Sequence, residues 1–282
     1  MPTARASTVG YLLLAVSMTS VSLSLDGLSG LGMQHATVLL LLILGLACLT
    51  AYWLRAARRP DPLFPLALFR VNSFSVGVMG NLFARIGSGC MPFLIPLLLQ
   101  LTLGYSPMQA GMMMIPVAVA SIFIKRVGTP LIRVHGYRRV LLVNTVLVGL
   151  AIASFGLVSP NVPLWLRIVH LAVFGAVNSM QFTAMNTLTL KDLTGSLASS
   201  GNSLLSMVMM LSLSLGVAAA GALLAAFTAL FGSHGHAGPL PGFHATFVCM
   251  GLITAGSAAI FAQLAPEARA ESVEHAPIAD EA

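Results

Sequence analysis

Charged residues are scarce in this 282-residue chain: Asp, Glu, Lys and Arg together make up 8% of it, where a soluble domain carries about 25%. That shortage excludes an ordinary water-soluble fold. The short alternating apolar and polar segments of a membrane β-barrel are missing as well. Cysteine is rare. Cys48, Cys90 and Cys249 each lie inside an apolar run, as small buried hydrophobes do, and offer neither a disulfide framework nor a metal site. The chain has no Walker loop, no dinucleotide fingerprint and no convincing catalytic triad, so nothing in it points to ATP-driven work or to an enzyme, and no cofactor is expected. The apolar stretch from Val9 to Leu31 lacks a convincing cleavage site and reads as a membrane helix rather than a signal peptide.

What the chain has is length of apolar sequence. Hydrophobic residues make up 57% of it, with a mean hydropathy of +0.92. Runs such as Val140 to Pro163 and Asn202 to Gly232 carry no charge, and about twenty such residues cross the roughly 30 Å hydrocarbon core as a helix. Eight helices are expected, at Val9–Gly30, Ala36–Ala56, Ser73–Leu101, Met108–Leu131, Arg138–Val158, Leu164–Leu188, Gly201–Phe231 and Phe243–Leu264. The fold class is all-α, a polytopic transmembrane bundle. The pI near 9.8 and net charge of +6 do not imply a nucleic-acid partner, because the cations form no patch interleaved with aromatics. Twelve of the fourteen Lys and Arg residues instead sit in alternate gaps between the apolar runs. Arg5, then Arg55, Arg58, Arg59 and Arg70, then the cluster Lys125, Arg126, Arg133, Arg138 and Arg139, then Lys191 and Arg269 mark one side. The gaps around Met33, Gly104, Asn161 and His236 hold none. The positive-inside rule puts the basic side and both termini in the cytoplasm.

Arg58-Arg59-Pro60-Asp61-Pro62-Leu63-Phe64-Pro65 cannot continue a helix. It divides the chain into two lead-in helices (1–57), a cytoplasmic Pro/Arg-rich loop (58–72), a six-helix bundle (73–265) and an acidic, disordered cytoplasmic tail (266–282). Within the bundle, helices three to five and six to eight are expected to form two inverted triplets, an arrangement common in secondary transporters.

Few residues carry chemistry. Arg85 lies 15 residues after Arg70, about 22 Å along a helix and so near the bilayer midplane, where a charge is costly. Asn81, Arg85, Ser88 and Pro92 share one stripe. Arg85 reads either as a substrate or coupling residue or as a structural cation capping the carbonyls of a helix broken by Pro92 and Pro96. The sixth helix carries a second stripe, Arg167, His170, Phe174, Asn178, Gln181 and Met185. It reads either as a cavity wall or as hydrogen-bonding glue between helices. Asp26 is the only carboxylate inside an apolar run, and the six-helix block has no intramembrane acid. Proton coupling therefore falls to His170 or Asp26. Met112–Met113–Met114 and Met209–Met210 read as gap-filling or lipid-facing side chains. Gly216 and Gly221 read as packing residues. His234-Gly-His236, with His244 nearby, is a weak metal signal, and no metal site is expected.

Several stretches together resemble the major facilitator superfamily, specifically its fourteen-helix drug:proton antiporter branch. They are Pro65-Leu-Ala-Leu-Phe-Arg70, Arg85-Ile-Gly-Ser-Gly89, Gly104-Tyr-Ser-Pro-Met-Gln-Ala-Gly111, Gly136-Tyr-Arg-Arg139, Met185-Asn-Thr-Leu-Thr-Leu-Lys-Asp192 and Leu197-Ala-Ser-Ser-Gly-Asn-Ser203. The resemblance covers nearly all of the chain. It implies the C-terminal part of a proton-coupled inner-membrane exporter of small molecules, with a two-helix lead-in. It also implies that the helices at Ser73–Leu101 and Leu164–Leu188 line the cavity, which gives weight to Arg85, Asn178 and Gln181, with Asn81 and His170 beside them. Gly136, Arg138 and Arg139 match a family gating loop, but Arg133 stands where that loop usually has an acid. The six helices that precede the stretch resembling Val9 in such transporters are absent, so a partial chain or a separate N-terminal half as partner is expected. Its other partners would be protons, a small-molecule substrate and lipid. Two alternatives remain: an exporter of an anionic metabolite or metal–carboxylate chelate, and an inactive fragment or membrane partner subunit.

Overall fold

The structure, a computed structural model, describes residues 8–28, 66–233 and 238–264, together with positions 40, 41, 43–45, 47, 48 and 50. The described elements are α1 (Thr8–Leu28), a 3₁₀ turn (Leu66–Arg70), α2 (Asn72–Gly89), α3 (Met91–Leu103), α4 (Pro107–Met112), α5 (Ile115–Ser154), a second 3₁₀ turn (Phe155–Leu157), α6 (Leu164–Leu190), α7 (Gly195–Ser233), α8 (Leu240–Gly256) and α9 (Ala258–Phe261). No strand occurs among the described residues. Among the described residues, six spans are long and apolar enough to cross a membrane: Asn72–Leu103, Pro107–Ile124, Pro130–Leu157, Leu164–Leu190, Leu197–Gly232 and Leu240–Phe261. They match the six helices expected after the Pro/Arg-rich segment. Of the two lead-in helices, α1 is described, and the described positions between 40 and 50 are helical. The rest of the second helix, the segment 58–65, the tail 266–282 and the pair His234 and His236 lie outside the described residues.

Local sequence sets the turns. Gly104, at φ 71°, ends α3 in the left-handed conformation, which glycine adopts without a Cβ clash. Two residues later Ser106 opens α4 with a capping box. Its Oγ accepts from Gln109 N at 3.3 Å, and Gln109 Oε1 accepts from Ser106 N at 2.9 Å, with Pro107 at the first helical position, where its missing N–H removes no bond. The next reversal takes a single residue. Helical backbone runs from Ile115 to Ser154 except at Gly136 (φ 75°, ψ 158°), a region almost closed to residues with a side chain. A straight helix would hold Val117 and Asn144 about 40 Å apart. Instead Val117 lies against Gly175 and Asn144 against Val177, so α5 doubles back into two arms that both pack on α6.

The spans meet in reciprocal pairs. The C-terminal arm of α5 crosses α8 where Gly149 and Gly251 face each other. A Cβ on Gly149 would come within 2.6 Å of Gly251 O, and a Cβ on Gly251 would meet Gly149 O in turn; Ala255 and Ala153 flank the crossing one turn further along each helix. Contact of α6 with the N-terminal arm of α5 (Gly175 on Val117) has its counterpart in contact of α7 with α2 (Gly216 on Ile86). These exchanges relate the first, second and third spans to the fourth, fifth and sixth, with the Gly149–Gly251 crossing at the centre.

The apolar core has three clusters. One holds Met91 to Leu99 of α3 with Val148 to Phe155, Phe174, Phe243 and Phe247. A second joins Val76, Ala84, Leu141, Met185, Leu188 and Phe261. In the third, Leu14 of α1 meets Leu68, Phe74, Val78 and Leu193, so the lead-in helix packs on the six-span block. Ser17 Oγ also donates to Gly45 O at 2.8 Å.

Replacing Gly251 with Ala is expected to destabilise the chain by about 1–3 kcal/mol through overpacking. Gly256→Ala serves as the control, because a Cβ there meets nothing within 4 Å. Thermal unfolding in detergent that moved equally in both variants would refute the crossing. Gly136→Ala is expected to cost about 1–3 kcal/mol from backbone strain alone, read in the same assay.

Candidate functional site

Arg85 sits 13 residues into α2, about 20 Å from its start. The side chain leans back toward the helix N-terminus, as side chains on helices do. Its Nε donates to Asn81 Oδ1 at 3.1 Å, not to the carbonyls around Pro92. Asn81 is fully buried, and its Nδ2 donates to Gly77 O at 3.0 Å and to Thr189 Oγ1 on α6 at 3.4 Å. Thr189 Oγ1 in turn donates to Met185 O at 2.6 Å. The guanidinium carbon lies 4.3 Å from the centre of the Phe182 ring, a cation–π contact. Asn81, Arg85, Phe182 and Thr189 thus form one polar and aromatic seam between α2 and α6. Gly77 makes it possible, since a Cβ there would collide with Thr189.

The seam is not closed. Arg85 Nη2 is shielded from solvent and has no acceptor. Asn186, one turn after Phe182 on α6 and three residues before Thr189, has a shielded Oδ1 with no donor. Phe182 is 43% exposed. No Asp or Glu occurs between Asn72 and Lys191, so none of the first four spans supplies a carboxylate to the guanidinium. A desolvated cation with an unfilled donor favours an anion or a strong acceptor.

The stripe read on α6 divides between two neighbours. Gln181 is 1% exposed and faces α5. Its Oε1 accepts from Asn144 Nδ2 at 2.8 Å, and its Nε2 donates to Thr145 Oγ1 at 2.6 Å. Asn144 Nδ2 also donates to Val177 O at 2.9 Å, and Thr145 Oγ1 donates to Leu141 O at 2.6 Å. Both ends of the Gln181 amide are therefore engaged between helices. Asn178 is half-buried and lies one turn before Phe182 on α6. His170 lies about 18 Å from Phe182 along α6; its Nε2 is 2.7 Å from Ser154 Oγ, and its ring stacks on Phe155 at 4.0 Å. Arg167 is held at the first turn of α6 by Tyr105 Oη, Ser159 O and Pro160 O. His244 is 2.8 Å from Val158 O. The side chain of Asp26 lies outside the described residues.

Of the loop residues, Gly136 makes the reversal. Arg138 Nη2 donates to Ala262 O at 3.1 Å, tying the start of the second arm to the end of the last span, and Arg139 is exposed. Sequence reading missed Phe182, Thr189 and Asn186, because it sought polar residues on α6 in one stripe and passed over an aromatic as a partner for a cation. Asn144-Thr145 was legible in principle: two adjacent polar residues inside an uncharged run need a partner on a neighbouring helix.

No protein-family profile matches the chain. It is similar to proteins named "Putative multidrug resistance protein MdtD". It is 44% identical over 277 residues to that of Pectobacterium atrosepticum, covering 96% of this chain and 58% of that protein. It is 43% identical over 266 residues to one from Escherichia coli, covering 94% and 56%. It is 47% identical over 228 residues to that of Pectobacterium carotovorum, covering 81% and 49%. The chain is a homologue of part of these MdtD proteins. It spans little more than half the length of the curated relatives it matches, as the C-terminal part of an MdtD-like transporter would.

Gln181→Leu is expected to cost about 1–3 kcal/mol by leaving the Asn144 and Thr145 groups unsatisfied. Adding Asn144→Leu should recover part of that loss. A double-mutant cycle on thermal unfolding in detergent that showed simple additivity would contradict the network.

Proposed function

We propose that the chain is one half of a proton-coupled exporter of small molecules, a multidrug-efflux type transporter of the inner membrane, acting with an N-terminal half of the kind its longer relatives have room for. The observation that carries this reading is the Arg85 seam: a cation about halfway along the first span, shielded, short of one acceptor and lying over a partly exposed Phe182. In this proposal Arg85 contacts substrate or couples its occupancy to gating. Asn81 positions the guanidinium, and Asn178 offers an amide to the same face. Gln181 lends rigidity to the α5–α6 pair against which a second bundle would rock, and Gly136, Arg138 and Arg139 form the inner gating loop. His170 or Asp26 would carry the proton, with both termini in the cytoplasm. The similarity to proteins named for multidrug resistance supports the export reading.

One observation favours a second reading. The deep cation has no carboxylate within its own or the next three spans to offset it, and a buried base suits an anionic metabolite or metal–carboxylate chelate better than a lipophilic cation. Transport assays in vesicles separate the two. The chain is co-expressed with an N-terminal half, and efflux of a cationic dye is compared with that of a tricarboxylate. Arg85→Ala is expected to reduce the transported flux by roughly tenfold or more, as expected for loss of a charge-assisted contact. Unchanged flux of both probes in that variant would remove Arg85 from the mechanism.

A further inference from the structure

The reversal of α5 carries more positive charge than its own chain balances. Lys125, Arg126, Arg133, Arg138 and Arg139 fall within one short stretch that contains no Asp or Glu. Exposed like charges crowded into one stretch repel. Arg126, Arg133 and Arg139 are exposed. So are the large apolar side chains set among them: Ile122, Phe123, Leu131 and Val134. The adjoining spans end at Ile124 and begin at Pro130. Cations interleaved with exposed apolar side chains at the ends of two spans lie at the boundary between hydrocarbon and headgroups. Arg138 adds a donor the chain leaves unused: Nη2 is fixed on Ala262 O, while Nε is shielded and has no acceptor.

We propose that this cluster binds the headgroup phosphate of an acidic phospholipid of the phosphatidylglycerol class, with Arg133 and Arg139 as the principal contacts. The headgroup would supply the acceptors and the negative charge that the stretch lacks, and the acyl chains would cover Phe123 and Val134. Such a site is separate from the Arg85 seam and stands whether or not the chain transports anything.

The test is lipid selectivity of the full chain in phosphatidylcholine bilayers, read by spin-labelled phosphatidylglycerol against spin-labelled phosphatidylcholine. The wild type should prefer phosphatidylglycerol. Removing either Arg133 or Arg139 should lower that preference by about fivefold, so Arg133→Gln with Arg139→Gln should nearly abolish it. Arg70→Gln, an exposed cation outside the cluster, should leave it intact. Arg133→Lys with Arg139→Lys should retain it, which separates loss of charge from loss of fold. The proposal falls if the wild type shows no preference, or if Arg70→Gln removes as much as the double variant. It also falls if the preference appears only after residues 265–282 are deleted, because the acidic tail would then be the occupant of the cluster.

Discussion

Inside a bilayer, a polar side chain that finds no partner among its neighbours has no water to turn to, and this constraint organises the bundle. The Asn144–Gln181–Thr145 ladder answers it between α5 and α6, where both the oxygen and the nitrogen of the Gln181 amide are bonded. The Asn81–Thr189 bond answers it between α2 and α6. Helix α6 is therefore held by polar bonds on two sides at once. The glycine crossings bring backbones close enough for such short side chains to meet, which apolar packing alone would not require.

The Arg85 seam leaves two shielded atoms open, one guanidinium nitrogen and the nearby Asn186 carbonyl oxygen; elsewhere among the described residues Ser73 Oγ, Arg138 Nε and Arg167 Nε are also left open. The ladder at Gln181 is complete and the seam at Arg85 is not. Gln181 and Arg85 are both polar residues in the middle of a span, and of the two only Gln181 has both ends of its polar group bonded to a neighbouring helix.

Much of the architecture was legible in the sequence. Charge-free runs are long because the hydrocarbon core is thick, and this located the six spans, with ends within a few residues except where the second span meets the third. Arg85 was legible because a lone cation in such a run is costly wherever it lies. Which way each polar residue of α6 points was not. Gln181 and Asn178 are three residues apart and share a stripe by spacing, yet one is engaged by α5 and the other lies beside Phe182. That division depends on which helices flank α6, and so on the reversal at Gly136 and the crossing at Gly149, neither of which has a periodic signature.

The reversal at Gly136 occupies one residue between two helical arms that both pack on α6. Surface connections ordinarily tolerate insertions and deletions, but this one has no slack to absorb them. One added residue would rotate everything after it by about 100°, and Asn144 and Thr145 would turn from Gln181 toward lipid. Length variation among descendants of this chain should therefore collect at the other turns and the termini and spare this elbow.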